Sequence, residues 1–251
     1  MTYRRLIVLT LLISLAAASP ADQAAIYEAI AHRDAREAAG APLISQDDYA
    51  RALDGDVVAR ITRVDGVPAA KAWGLMVLDH PVETVWTVVN SETRMAGELP
   101  VSEAHVLSGQ SGAAPRQVFE FLPLPLLADR WWVVDVTHNA ALYDATDGRV
   151  WEQVWTDATH TTAQAMLPPS SADGIPVAWT QGAWLLVSLP NDRTLLEYYV
   201  WTDPGGSIPA GPATRFAAGA VRDTLRAVDT LCGEAAGWPE GTVLRPNGTA
   251  L

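Results

Sequence analysis

Three acidic residues stand inside apolar runs whose composition predicts β-strands: Glu120, Asp135 and Glu197. Side chains two residues apart share one face of a strand. The expected same-face neighbours are Trp131 and Val133 for Asp135, and Tyr199 and Trp201 for Glu197. A carboxylate in a covered space needs a partner, and the candidate partners are Arg130, Arg215 and Arg222. Two interpretations stay open: the acids lie on the solvent face of a half-exposed sheet, or Glu120, Arg130 and Arg215 anchor the polar head of a ligand.

No recognisable catalytic or metal-binding motif accompanies these acids. The five histidines (His32, His80, His105, His138 and His160) scatter without the spacing of zinc ligands. The chain has no G-x-S-x-G elbow, no P-loop and no G-x-G-x-x-G. The single cysteine, Cys232, is predicted to be a buried structural thiol. We therefore expect no metal and no cofactor, and enzymatic activity is not indicated.

The ten tryptophans are the stronger signal, because most fall on predicted strands opposite an Ala-rich helix. Large aromatic surfaces facing small side chains favour a concave apolar pocket, the usual form of a small-molecule site. The predicted lining is Trp131, Val133, Asp135, Trp151, Gln153, Trp155, Trp184, Glu197, Tyr199 and Trp201 on strands, and Ala213, Ala217, Ala220, Val221, Thr224 and Val228 on the helix. The alternative is that tryptophan side chains fill the space, since protein cores are close-packed.

The N-terminus resembles a secretory signal. Arg4 and Arg5 precede a ten-residue apolar run, residues 6–15, and small residues then permit cleavage before Asp22. The run is shorter than the roughly 20 residues of a membrane span. We expect a secreted or periplasmic protein, with an uncleaved N-terminal membrane anchor as the alternative. The net charge of −12 argues against nucleic acid as a partner.

The order of predicted elements indicates an α+β fold. Helices are expected over residues 24–39 and 46–53, a hairpin over 57–78, and a short helix from Pro81 to about Asn90. Six strands without intervening helices follow: residues 101–107, 117–122, 130–138, 149–156, 177–189 and 194–201. A Pro-Gly-Gly turn then leads into a long helix from Pro209 to about Cys232. Sequential antiparallel strands need a cover on one face, and this helix is the obvious one.

Several segments, taken in order, resemble the START/SRPBCC superfamily of lipid-transfer and Bet v 1-like proteins. They are residues 80–86 (HPVETVW), 99–107 (LPVSEAHVL), 124–132 (LPLPLLADRWW), 182–184 (GAW) with 194–198 (TLLEY), and 203–209 (DPGGSIP). The resemblance covers residues 57–235. The Asn90–Gly97 stretch departs from the superfamily's usual aromatic-containing segment.

The resemblance implies a helix-grip fold, in which a curved antiparallel sheet wraps around the C-terminal helix and encloses a hydrophobic tunnel. The expected divisions are a signal peptide (1–21), an N-terminal helical extension (22–53), a START-like domain (54–236) and a C-terminal tail (237–251). The implied partner is a lipid, sterol or polyketide-like molecule, with transient membrane contact. Two alternatives remain: an aromatase/cyclase-like or hydrolytic enzyme that uses the same cavity, and a structural protein with a filled core.

Overall fold

The computed structural model describes residues 19–251 apart from 33–35, 39, 68, 126, 207–209, 236–237 and 239–242, and describes only the backbone of residues 29, 30 and 210–218. The predicted apolar leader and the predicted helix start at Pro209 lie outside the described residues.

The chain begins with a pair of helices, continues through a strand-rich middle that includes three short helices, and ends with one long helix followed by a tail. The helices are α1 (Pro20–Ala31), α2 (Gln46–Leu53), α3 (Val82–Val89), α4 (Glu92–Met95), α5 (Ala140–Ala145) and α6 (Ala210–Glu234). The strands are β1 (Val58–Thr62), β2 (Lys71–Leu78), β3 (Glu103–Ser108), β4 (Arg116–Leu122), β5 (Arg130–His138), β6 (Val150–Asp157), β7 (Ile175–Pro176), β8 (Trp179–Leu189) and β9 (Arg193–Asp203).

Within the described part of the chain, these strands form one nine-stranded sheet in the order β1-β2-β9-β8-β6-β5-β4-β3, with the two-residue β7 added parallel to β5. All the other pairings are antiparallel. The predicted α+β fold, with an antiparallel sheet and a long C-terminal helix, is therefore confirmed. The sequence patterns missed α4, α5 and β7, because they are too short to show a periodicity.

Helix α6 packs closely against the β1–β2 edge of the sheet. Gly74 on β2 makes this approach possible, because a Cβ at Gly74 would lie 2.6 Å from the carbonyl oxygen of Val58 and 2.7 Å from Cγ1 of Val221. Leu225 and Val228 on α6 are buried in the same core cluster. We call the sheet face that α6 covers the inner face.

The opposite, outer face of the sheet is also covered. Helices α1 and α2 bury Ile26, Tyr49 and Ala52 in a cluster with outer-face strand residues such as Leu195 and Tyr199. The N-terminal extension is thus packed against the sheet rather than solvated. The predicted α2 is confirmed, and Ser45 caps its start, since Ser45 Oγ accepts a hydrogen bond from the Asp48 amide.

Helix α1 begins and ends earlier than predicted. Ser19 Oγ accepts from the Asp22 amide, and the Ser19 amide donates to the Asp22 carboxylate, so this pair caps the start of the helix. The helix ends at Ala31 rather than near residue 39, and residues 36–38 are not helical. The predicted cleavage before Asp22 would remove Ser19 and the first two helical residues.

The non-helical segment after α1 carries a buried cation. Arg36 Nε donates to Glu152 (2.9 Å) and Arg36 Nη1 donates to Glu197 (3.0 Å), and all three side chains are buried. The Tyr49 hydroxyl donates to Glu197 (2.6 Å) and the Asn139 amide donates to Glu152 (2.8 Å). This cluster joins the N-terminal extension to strands β6 and β9.

The C-terminal tail closes one end of the space between α6 and the sheet. Val243 is buried in the core, and the carbonyl oxygen of Leu244 accepts a hydrogen bond from the Trp86 indole N–H (2.8 Å). The Leu244 amide in turn donates to the carbonyl oxygen of Gly112 (2.9 Å). The tail is therefore part of the domain's packing.

Candidate functional site

A cavity of about 590 Å³ lies between the inner face of the sheet and α6. Residues from β2, β4, β5, β6, β8, β9, α3, α4 and α6 line it, together with the segments that precede β2, β3, β5 and β8 and the segment that follows β9. Its volume falls within the roughly 300–1,000 Å³ typical of small-molecule sites. The lining is predominantly apolar, with a few polar side chains gathered at two places.

Three aromatic rings form the wall of the cavity. Trp184 and Tyr198 lie 4.3 Å apart between ring centroids, and Trp155 stacks on Tyr198 at 6.1 Å. Trp155 crosses β8 at Gly182, where a Cβ would come within 2.1 Å of its ring. Glycine at this position therefore fixes where the Trp155 ring lies.

At the closed end of this space, aromatic side chains do fill the core. Trp86 contacts Trp151 edge-on at 5.4 Å and His138 at 4.8 Å between ring centroids. Tyr143 packs edge-on against Trp151 at 5.2 Å. Of the two alternatives, filling by tryptophan thus describes one end of the space under α6, and a cavity describes the other.

One polar group of side chains lies between the closed end and the cavity, centred on the buried Arg116. Arg116 Nε (3.1 Å) and Nη2 both donate to Glu92 Oε1. Nη2 also donates to Asn90 Oδ1 (3.1 Å) and Gln153 Oε1 (3.2 Å). Nη1 donates to the carbonyl oxygen of Ala113 (2.6 Å) and lies 3.3 Å from His138 Nε2. Burial, with Arg116 nearby, lowers the pKa of His138 to about 3, so this imidazole is neutral.

Two further polar side chains, Glu120 and Tyr198, face the cavity. Glu120 accepts a hydrogen bond from the Trp132 indole (2.5 Å), and burial raises the pKa of its carboxyl to about 7, with the nearby Glu92 adding to the shift. Burial also raises the pKa of Tyr198. The Tyr198 hydroxyl has no hydrogen-bond partner among the described residues.

The second polar place is the turn between β9 and α6. Arg130 is buried and donates to the carbonyl oxygens of Pro204 (2.6 Å), Gly205 (3.2 Å) and Ala128 (2.5 Å). Beside it, the Thr180 and Thr202 hydroxyls are 2.6 Å apart. Arg130 thus holds the Pro-Gly-Gly turn while lining the cavity.

The structure divides the predicted lining residues into four groups. Those that line the cavity are Glu120, Arg130, Gln153, Trp155, Trp184, Ala220, Val221 and Thr224. Trp151 and Val228 lie in the filled core. Residues of the outer face are Trp131, Val133, Asp135, Glu197, Tyr199 and Trp201. The side chains of Ala213, Arg215 and Ala217 are outside the described set, and Arg222 is exposed.

The outer-face group is a correction to the expected lining. On β5, Trp131 and Val133 pack against Phe119 and Phe121 on the outer face. Asp135 is exposed on that same face. The chosen residues do share a face, as alternation requires, but because both faces are buried the apolar pattern could not show which one α6 covers.

Several cavity residues were not predicted. Glu92 lies on the missed helix α4, and its buried partner Arg116, which does not itself line the cavity, stands at the first position of β4. Tyr198, Trp132, Val134 and Val200 have the opposite parity to the residues chosen on their strands. One sequence signal could have indicated the correct face of β5. Arg130 was expected in the cavity, and by alternation it shares its strand face with Trp132 and not with Trp131.

Other kinds of site find little support within the described residues. No group of three His, Cys, Asp or Glu side chains is placed to hold a metal ion. No described helix is both long and apolar enough to cross a membrane. Cys232 is buried, and burial raises the pKa of its thiol to about 12, as for a structural cysteine.

No family model and no curated protein sequence matches the chain. Solved structures do match it. A STAR-related lipid transfer protein from Xanthomonas axonopodis gives a TM-score of 0.58 at 19% identity, covering 70% of this chain and 93% of that one. Human StAR-related lipid transfer protein 5 gives 0.57 at 15% identity (85% and 95%), and human STARD10 gives 0.54 at 16% (81% and 84%). The chain therefore has the helix-grip fold of the START/SRPBCC superfamily.

Proposed function

We propose that this protein binds a hydrophobic small molecule, such as a lipid, a sterol or a polyketide-like compound, and carries it between membranes through transient contacts. The observation that carries the proposal is the apolar cavity of about 590 Å³ between α6 and the sheet. Two of the solved structures with the same fold are named lipid transfer proteins, which supports it.

A matched pair of α6 variants tests whether the cavity is the binding site. Thr224 lines the cavity, whereas Thr230 is exposed on the same helix. Thr224→Phe should fill the space and weaken binding of a neutral fluorescent probe such as Nile red about tenfold or more, which is about 1.4 kcal/mol. Thr230→Phe should bind it as the unaltered protein does. Equal binding by both variants, with native circular dichroism, would rule the cavity out.

The purified full chain should also carry ligand from its host. Native mass spectrometry followed by solvent extraction should recover an amphiphile from it, and transfer of that compound between two vesicle populations should be faster with the protein than without. A chain that binds no member of a lipid, sterol and polyketide panel is not a carrier.

An enzyme acting on a hydrophobic substrate is the second candidate. One observation favours it: Glu120 faces the cavity with a pKa of about 7, which suits a general acid or base. Asp135 is exposed and Glu197 is bound to Arg36, so neither can take part in the cavity. Recovery of a chemically altered compound, lost in Glu120→Gln, would favour the enzyme, and recovery of an unchanged one favours the carrier.

We further propose a secreted or periplasmic location. The support is the N-terminal pattern of Arg4 and Arg5 followed by the apolar residues 6–15. The intact mass of the protein isolated from its host should lack residues 1–21. A mass that retains them, found in the membrane fraction, would show the uncleaved anchor instead.

A further inference from the structure

We propose that the cavity selects amphiphiles whose head group donates hydrogen bonds and carries no negative charge, with Glu92 and Glu120 as the acceptors. This inference rests on the proposed binding function and names the class of ligand. It predicts a long-chain alcohol or amine as a better ligand than the corresponding carboxylate.

The cation at this end of the cavity, Arg116, is enclosed by protein groups. Its N–H groups donate to Glu92, Ala113, Asn90 and Gln153, and its Nη1 lies 3.3 Å from His138 Nε2, which itself lies 2.8 Å from Asn90 Oδ1. The Arg116 side chain is also fully buried. An anionic head group therefore cannot obtain from Arg116 the paired hydrogen bonds that carboxylates and phosphates usually find.

An acceptor, by contrast, is left over. Glu92 is only 6% exposed and lines the cavity, and its Oε2 has no hydrogen-bond partner among the described residues. A buried carboxylate oxygen without a donor is costly, and few are found in folded proteins. A ligand that donates a hydrogen bond to Oε2 removes that cost on binding.

Glu120 provides a second acceptor in the same wall. Within the described part of the chain only its Oε2 accepts a hydrogen bond, from the Trp132 indole, and the carboxyl lies close enough to Glu92 to be affected by its charge. The Tyr198 hydroxyl also faces the cavity and can either accept or donate. An anionic head would meet two carboxyl groups here, whereas a hydroxyl or an ammonium would meet acceptors.

The groups at the other end of the cavity define the competing outcome. Arg130 donates to backbone carbonyl oxygens, and among the described residues its Nη2 donates to the carbonyl of Gly205 alone, which leaves one N–H for an anion. Binding of carboxylates there would reverse the order of affinities that the Glu92 end predicts. The relative affinity of alcohol and carboxylate therefore decides between the two ends.

The experiment uses the full chain, freed of host lipid, and displaces Nile red with a saturated alcohol, amine and carboxylic acid of equal chain length. We expect the alcohol or the amine to bind about tenfold or more tightly than the carboxylate, the size of effect that one hydrogen bond to a charged group provides. Glu92→Gln and Glu120→Gln should each reduce this ratio severalfold. Glu83→Gln, on the exposed face of α3, should leave the ratio unchanged.

A carboxylate that binds as tightly as the alcohol overturns the inference, as does a ratio that neither variant alters. The ratio of alcohol to carboxylate affinity is measured on the unaltered protein, so this test does not depend on whether the Glu92 variant folds. If the ratio overturns the inference, Nile red binding that Thr224→Phe abolishes would still support the proposed function. If no probe and no amphiphile binds, the proposed function itself fails.

Discussion

Glu120 is the cavity carboxyl whose acidity the fold changes strongly. It lies on a strand between two phenylalanines, yet its carboxyl lies in the cavity wall, held by the Trp132 indole. Burial opposes ionisation, and this raises the pKa of the carboxyl to about 7. The folded chain therefore holds this proton more tightly than the unfolded chain does.

This difference predicts how Glu120→Gln changes the pH dependence of stability. Below pH 4.5, the ordinary pKa of a glutamate carboxyl, this carboxyl is mostly neutral in both the folded and the unfolded state. As pH rises from there to about 7, the unfolded chain ionises first, so the unaltered protein loses stability that the variant keeps. Urea unfolding should show the variant gaining about 1–3 kcal/mol relative to the unaltered protein over this range.

Glu83→Gln is the control for that series, because Glu83 is exposed on α3 and its variant should follow the unaltered protein at every pH. A constant difference between Glu120→Gln and the unaltered protein across the range would mean that Glu120 ionises as freely in the fold as in water.

At the scale of the element, the strands were predictable and their orientation was not. Each predicted strand lies within a few residues of an observed one, because apolar runs between Gly, Pro and Asp turns are strong local signals. The register places Trp184 opposite Tyr198 and Glu120 opposite Trp132. Placing Trp184 in the cavity therefore requires Tyr198 there and excludes Glu197, but the register is a long-range property that no local pattern contains.

The segment that departs from the superfamily's pattern, residues 90–97, supplies part of the polar site. Asn90 ends α3 and Glu92 begins the four-residue α4, and both bind Arg116. A helix of one turn has no periodicity to detect. No local pattern marks its polar residues as buried, and only the distant Arg116 makes them buried partners.

The contact between β2 and α6 yields a prediction at this scale. A Cβ at Gly74 would clash with the carbonyl oxygen of Val58 and with Val221, so Gly74→Ala should push α6 from the sheet and cost about 1–3 kcal/mol. Gly219 lies on α6 with no atom near its Cβ position, so Gly219→Ala should be neutral or stabilise by up to about 1 kcal/mol. Thermal unfolding of both variants measures the contrast.

Gly74→Ala should also alter the cavity, since Val221 and Ala72 belong to both the contact and the lining. Nile red affinity should change in Gly74→Ala and stay constant in Gly219→Ala. Similar stability and affinity in the two variants would show that the packing of α6 against the sheet does not require a glycine at position 74.

Over the whole molecule, the sheet is a shared wall between two interiors. Its inner face borders the cavity, and its outer face is buried under the N-terminal extension along β1, β2, β6, β8 and β9. Neighbouring residues of one strand serve opposite sides: Gln153 lines the cavity while Glu152 binds Arg36. Burial on both faces explains why its strands lack a simple alternation of apolar and polar residues.

The pairing of Arg36 with Glu152 and Glu197 could not be read from the sequence, since the partners are 116 and 161 residues away. It predicts that the extension is required for the stability of the whole domain. Arg36→Ala leaves two buried carboxylates without their cation and should cost roughly 3–5 kcal/mol. Arg51→Ala removes an exposed pair with Asp56 and should cost far less than Arg36→Ala, because solvent screens that pair.

A further variant separates charge from packing at this position. Arg36→Met keeps the apolar stem of the side chain, so it should lose nearly as much stability as Arg36→Ala if the uncompensated carboxylates are the cause. Urea unfolding midpoints of the three variants provide the comparison. Two results would contradict this: Arg36→Met has the same urea midpoint as the unaltered protein, or Arg36→Ala lowers the midpoint no more than Arg51→Ala does. Either result would mean that apolar contacts alone hold the extension. The ion cluster would then be a consequence of the packing and not its cause.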